Sequence, residues 1–342
     1  IIEKRIGVRK ANISFSPFDM EKSARHFGGL MKSCFFASNT CKMAKLSFLL
    51  RIAFAFLFAF LIPAAHAQGP VGSIPMDSSV ITGTFPNGLR YYVRSNKKPE
   101  QKVELRLMVK VGSIVEDDDQ RGLAHFMEHM NFNGTKHFEK NELVSYLQSI
   151  GVEFGADLNA YTGFDQTVYI LPIPTDKPGN LDKGFQILED WAHGALLADA
   201  DIDSERGVVL EESRMGKGAE QRMLEKYLPR LVAGSKYALR LPIGKDEVLK
   251  TFPYDALKRF YKTWYRPDLM GVAVVGDIDS ATAMQYLRKH FAGIPAVANP
   301  RPRIYEKIND RNKSEAMVVT DKEATNGRLL LMFPYAEKKH VE

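Results

Sequence analysis

Within the run Gly122-Leu-Ala-His-Phe-Met-Glu-His-Met-Asn-Phe-Asn-Gly134, His125 and His129 stand four residues apart and Glu128 three after the first. That spacing has chemical meaning only on a helix, where positions i, i+3 and i+4 share a face. Leu123, Phe126, Met127 and Met130 give the same segment an apolar side, so the helix belongs against a core. Asp117, Asp118 and Asp119 favour its N-terminal end and Asn133-Gly134 offers a stop, which predicts a helix from about Gln120 to Phe132. Two imidazoles and a carboxylate on one face are the minimum set for a hydrolytic zinc site. Imidazole nitrogens suit zinc, and the carboxylate can take a proton from a water acidified by the metal. Chance also produces three fixed residues in five, and two surface histidines are the competing reading. The apolar side of the segment argues against it.

Residues ahead of this run predict export. Lys45 and Arg51 make a basic start after Met43, Ile52 to Ile62 is an uninterrupted apolar stretch, Pro63 breaks it, and Ala65-His66-Ala67 is a small-x-small cleavage site before Gln68. Residues 43–67 are therefore expected to be a secretory signal peptide, and residues 1–42 an upstream extension. A transmembrane anchor is the competing reading, but eleven uncharged residues fall short of the roughly 20 that a span needs. With no cysteine after the cleavage point, no lipid anchor is indicated. The expected destination is the periplasm or the medium, with no stable membrane anchor after cleavage.

This reading changes what the net charge of +6 means. Residues 1–42 hold eight Lys/Arg against three Asp/Glu, and residues 43–67 add Lys45 and Arg51, which leaves the chain from Gln68 at about −1. The basic excess is discarded, and with it any argument for a nucleic-acid partner. Cys34 and Cys41 also lie upstream of the cleavage point, so the exported chain must be held by its core rather than by disulfides.

From Gln68 onward, strands and helices alternate irregularly. Thr84 to Arg94 reads as a hairpin turning at Asn87-Gly88, and Lys102 to Val111 alternates as a half-buried strand. Asp157 to Pro172 reads as two strands joined near Gly163, and Gly271 to Val275 as a buried strand. Helices are expected at Glu142 to Ile150, at Leu181 to Leu197 with Ile187, Leu188, Trp191 and Leu196 buried, at Ser204 to about Leu224, at Pro253 to Trp264 and at Ser280 to Phe291. The order predicts an α+β domain, a mixed and largely antiparallel sheet packed with helices, rather than a doubly wound sheet. One domain is expected over 76–295. Ala296 to Pro302, with Pro295, Pro300 and Pro302, reads as a linker. Glu315 to Val319 and Arg328 to Phe333 read as strands of a second unit, begun over 303–342 and incomplete as given.

A catalytic zinc keeps three protein ligands, so His125 and His129 need a partner from elsewhere. Glu205 and Glu212 stand seven apart in a helical stretch, almost two turns, and face one way, whereas Glu211 is rotated by about 100°. Val208, Val209 and Leu210 make that stretch apolar enough to bury, and buried carboxylates need something positive opposite. Either a metal or salt bridges to Arg206 or Arg214 would meet the need.

His125-Phe-Met-Glu-His129 followed much later by Glu205-Arg-Gly-Val-Val-Leu-Glu-Glu212 resembles the pitrilysin/insulinase family of zinc metallopeptidases, especially its bacterial exported members. The likeness runs from about Ile81 to at least Phe291. It implies the fold of the mitochondrial-processing-peptidase-like metallohydrolases and the inverted zinc motif H-x-x-E-H. By the resemblance, His125, His129 and Glu212 hold one Zn2+, Glu128 is the general base, and Glu205 orients a ligand histidine. It also implies that Asn159, Ala160, Tyr161 and Thr162 form the strand on which a peptide pairs through its backbone. The interval between His129 and Glu212 is slightly longer than the commonest one, consistent with a loop insertion.

The activity implied is zinc-dependent endopeptidase cleavage of peptides or unfolded polypeptides. Family members close a cleft between two homologous halves, so a C-terminal half of the same protein or a homologous subunit is an expected partner. The chain would then be an N-terminal fragment, weakly active or inactive by itself. A non-catalytic peptide- or zinc-binding subunit is the alternative. His125, Glu128, His129 and Glu212 are all present, which disfavours it. His137, His193, His290 and His340 carry no such spacing. His137 and His193 are expected near or on helices without a spaced partner, and His290 and His340 at the surface.

Overall fold

The computed structural model describes residues 76–153, 155, 159–309 and 313–332. The upstream extension, the signal segment, the lead-in to Pro75 and His340 lie outside these residues. Among the described residues six strands form one sheet: β1 (Ile81–Thr84), β2 (Arg90–Ser95), β3 (Lys102–Val109), β4 (Asn159–Thr162), β5 (Thr167–Pro174) and β6 (Met270–Gly276), in the order β1-β2-β6-β3-β5-β4. Only β2 and β6 run parallel; every other pairing is antiparallel. The mixed, largely antiparallel sheet and its helices are those expected of an α+β domain.

Side-chain alternation builds the sheet's inner face. Val103, Leu105, Leu107 and Val109 of β3 are all fully buried, while Lys102 and Arg106 point outward. Strand β6 is apolar throughout because it lies between β2 and β3, where it meets neighbours on both edges. It pairs with β3 across some 160 intervening residues of sequence, a contact of high sequence separation.

Eight α-helices accompany the sheet in the described residues: α1 (Leu123–Met130), α2 (Glu142–Ser149), α3 (Asn180–His193), α4 (Asp199–Gly216), α5 (Ala219–Leu231), α6 (Asp246–Thr251), α7 (Tyr254–Trp264) and α8 (Ser280–Phe291). Helix α3 lies on β3 and β5, and α8 packs on α3 and β2. Phe185, Ile187, Leu188 and Trp191 of α3 are fully buried, as are Leu287 and Phe291 of α8. On α1, Leu123, Phe126 and Met127 are fully buried, and that helix contacts β4, α4 and α7. Burying a side chain of this size stabilises by about 1.5–3 kcal/mol, so α1 is fixed by its apolar side while its other side is left for chemistry.

Several local expectations change. The stretch predicted as one helix over Ser204 to Leu224 is two, because Gly216-Lys217-Gly218 ends α4 before α5 begins; glycine stops a helix readily. Leu196 lies past the end of α3 and is 60% exposed rather than buried. His290 is 3% exposed, not at the surface, held by Glu189 at 2.8 Å and Asp182 at 3.0 Å. His137 is held by Asp190, whose Oδ1 lies 2.7 Å from its Nδ1. Glu315–Val319 and the described part of Arg328 to Phe333 contain no strand. A strand needs a neighbour for its backbone bonds, and neither segment joins a ladder among the described residues. The intervening segment is tied to α5 through side chains instead, by Arg222 to Asp321 and by Lys226 to the Thr320 carbonyl. The compact unit comprises Met76–Arg328 of the described residues; Leu329–Met332 fall in a second.

Candidate metal centre

Helix α1 begins later than the sequence predicts. Asp117, Asp118 and Asp119 serve a 3-10 turn, where Asp117 and Gln120 cap each other reciprocally. The chain then breaks at Gly122, with φ +104°, before α1 starts. The group that meets the free N–H donors of α1 is Glu116, whose Oε1 accepts from Gly122 N at 3.1 Å and Ala124 N at 2.9 Å. Sequence reading passed over Glu116; its sign was an acidic residue six before the glycine that opens the helix.

On the far side of α1, His125 and His129 sit edge to face with ring centroids 4.7 Å apart. Their Nε2 atoms are separated by 3.3 Å. Glu212 comes in from α4, its Oε2 lying 3.3 Å from His129 Nε2 and 3.6 Å from His125 Nε2. These three are the one group of possible metal donors of this kind among the described residues. A tetrahedral zinc with bonds of 2.0–2.1 Å spaces its ligand atoms about 3.4 Å apart, and the triangle has those edges. Two nitrogens and one carboxylate oxygen also make up a donor set that zinc accepts, so the residues fit the ion.

Electrostatics keep the set ready for a cation. Burial, assisted by the neighbouring His129 charge, pushes the His125 pKa down to about 3, which leaves its ring neutral with a lone pair to offer. Burial works against a charged His129 as well, but the Glu205 hydrogen bond and the surrounding carboxylates outweigh it and raise its pKa. Glu205 Oε1 lies 2.8 Å from His129 Nδ1, leaving Nε2 directed at the triangle. Burial likewise works against an ionised Glu205, yet hydrogen bonds from His129 and Asn133 hold its pKa below the usual carboxylate value.

The predicted alignment of Glu205 and Glu212 holds, and the arginines offered as the alternative partners are engaged elsewhere. Arg206 binds Asp203 and the carbonyls of Leu249 and Phe252, while Arg214 pairs with Glu211. Helix α4 is less buried than its valines suggested. Val209 is fully buried but Val208 is 52% exposed, and Glu212 reaches the triangle from a half-exposed position.

Glu128, on the same helix as the two histidines, is buried, and its Oε2 accepts a 2.5 Å hydrogen bond from Thr162 Oγ1. Burial pushes its pKa up to about 7, against the pull of Thr162 and His129. A carboxylate poised there can exchange a proton near neutrality. Thr162 ends β4, the last strand of the sheet, whose outer edge has no partner strand among the described residues. On β4 Asn159 and Tyr161 are exposed, Ala160 is half-buried, and the Ala160 N–H donates to the Asn159 side chain. The four strand residues singled out from the sequence therefore make up β4, and Thr162 is the one that bonds Glu128. Asn133 was missed, although it stands in the same run as the histidines.

Two family models match this chain, one described as insulinase (peptidase family M16) over residues 91–242 and one as the peptidase M16 inactive domain over residues 251–342. The chain belongs to the insulinase family. Among its relatives are the probable zinc proteases PqqL of Haemophilus influenzae and Escherichia coli, each 36% identical, over 70% and 73% of this chain and 26% and 27% of theirs. The chain thus spans about a quarter of the length of these M16 relatives. A crystal structure of the first half of the periplasmic protease PqqL from Escherichia coli matches with a TM-score of 0.66 and 37% identity, over 70% of this chain and 51% of that one. Among the described residues, no helix of this insulinase-family chain is long and apolar enough to cross a membrane.

Proposed function

We propose that this chain carries the zinc site of an exported endopeptidase that hydrolyses peptides or unfolded polypeptides. The observation that carries the reading is the triangle of His125, His129 and Glu212, with edges of 3.3 to 3.6 Å, beside a buried Glu128. His125, His129 and Glu212 would hold the ion, and Glu205 would orient His129. When bound, zinc supplies Lewis-acid polarisation of the scissile carbonyl and lowers the pKa of the attacking water. Glu128 would accept a proton from that water as its oxygen bonds to the carbonyl carbon, then deliver it to the amine nitrogen as the C–N bond breaks. The free edge of β4, from Asn159 to Thr162, would pair with an extended peptide through backbone hydrogen bonds. Preference for unfolded chains follows, because a folded protein seldom offers a free extended segment.

The PqqL relatives named zinc protease and periplasmic protease support a zinc cofactor and a periplasmic location, with residues 43–67 as the export signal. The proposed catalytic domain spans 76–295, and 303–342 opens a related second domain. A companion half would complete the cleft, and the chain alone would cleave slowly. The deciding experiment compares zinc content and peptide hydrolysis of the parent with Glu128→Gln. One zinc in each, with hydrolysis lost only in the variant, is expected. Equal hydrolysis by both would remove Glu128 from its role.

A further inference from the structure

We propose that Asn133 is a positioning residue of the metal centre, whose side-chain amide locks the Glu205 carboxylate against His129 and thereby sets the affinity of the site for zinc. The inference rests on the metal reading above and adds to it a residue outside the donor set.

Asn133 Nδ2 donates to Glu205 Oε2 at 2.7 Å and to the backbone carbonyl of His129 at 3.3 Å. Both amide protons are used, so the bonds also fix which way the amide is turned. With Glu205 Oε1 at 2.8 Å from His129 Nδ1, the contacts close a ring: from the His129 side chain to Glu205, to Asn133, and back to the His129 main chain. A carboxylate held by one oxygen can swing about its last bond. Held by both, it can only meet the imidazole in one orientation, and the ring nitrogen on the other side then points at Glu212. Lys140 sits close by, but its ammonium is bound to Asp201 and Ser204, which leaves Asn133 as the group that grips the second oxygen of Glu205.

Asn133 follows α1 by three residues, and ending that helix is the other role it could fill. The two roles separate on substitution. Asn133→Asp keeps the size and can still end a helix, but it has no proton to give and sets a second carboxylate against Glu205. Asn133→Ala removes the bond without adding charge. Zinc affinity of the full chain, read by competition with a chelator, should fall on the order of 10- to 100-fold in both variants. In a Glu205→Ala background neither change should weaken zinc further by more than about twofold, because the partner is gone. Unaltered affinity in both variants, or equal losses with and without Glu205, would overturn the inference while leaving the metal reading intact. A parent chain that binds no zinc would remove both.

Discussion

Thr162 Oγ1 donates a 2.5 Å hydrogen bond to Glu128 Oε2, which joins the free edge strand of the sheet to the helix that carries the histidines. One oxygen of the carboxylate is thereby fixed and the other is left for a reacting water. The bond spans 34 residues of sequence, so a shift of β4 when a peptide pairs with it would be felt at the base.

Thr162→Val should therefore slow hydrolysis without weakening zinc. A hydrogen bond to a charged group is worth about 1.5–3 kcal/mol, which corresponds to roughly 10- to 100-fold in kcat. KM should change little, because the backbone of β4 is untouched, and Thr162→Ser should restore most of the rate. Steady-state kinetics on a fluorogenic peptide provide the check. A valine variant as fast as the parent would show that Thr162 does not place the base.

Glu212 is half-exposed and tied to no arginine among the described residues, so its one evident task is to face the two Nε2 atoms at 3.3 and 3.6 Å. Glu212→Gln should weaken zinc by more than the roughly 10- to 100-fold typical of an outer partner. Stability reports the same event. Zinc at a hundred times its dissociation constant should add about 2.7 kcal/mol to the parent, and much less to the variant at the same concentration. Urea melts with and without a chelator measure both. Identical gains would place the third donor elsewhere.

Much of this site could be read in the chain because its parts obey local periodicities. His125, Glu128 and His129 fall on one helical face, Glu205 and Glu212 on another, and β3 alternates from Val103 to Val109. The Asn133 to Glu205 and Thr162 to Glu128 bonds could not be read, since they join residues 72 and 34 apart whose proximity only the tertiary fold decides. The place of β6 between β2 and β3 is hidden for the same reason. His290 is different. It lies three residues after buried Leu287 on α8, so the helical period already pointed inward.

Gly122 and Gly244 face each other where the chain enters α1. Gly244 has φ +81°, and a Cβ there would run into Gly122 Cα and come 2.7 Å from the Arg121 carbonyl oxygen. Gly244→Ala combines a left-handed backbone with a backbone clash and should destabilise by about 1–3 kcal/mol. Zinc affinity should fall with it, because the displaced segment leads into the metal helix. Urea denaturation provides the test, and a change below about 0.5 kcal/mol would mean that the two segments part freely.

Glu116 gives the fold a pH dependence with a defined sign. Its carboxyl is fully buried, Oε1 accepts from Gly122 and Ala124, and Oε2 makes no hydrogen bond. Burial pushes its pKa up to about 8 from an ordinary 4.5. Between those two values the folded chain keeps the proton and the unfolded chain has lost it, so the folded state binds more protons. Stability contributed by this group is complete below pH 4.5 and is lost as pH rises to about 8, at no more than about 1.4 kcal/mol per pH unit for a single proton. Glu116→Gln retains an oxygen for the two N–H donors and cannot ionise. Urea midpoints measured at pH 5 and pH 8.5 in a chelator should fall farther in the parent than in this variant, and curves that fall in parallel would mean that Glu116 is already ionised in the folded chain.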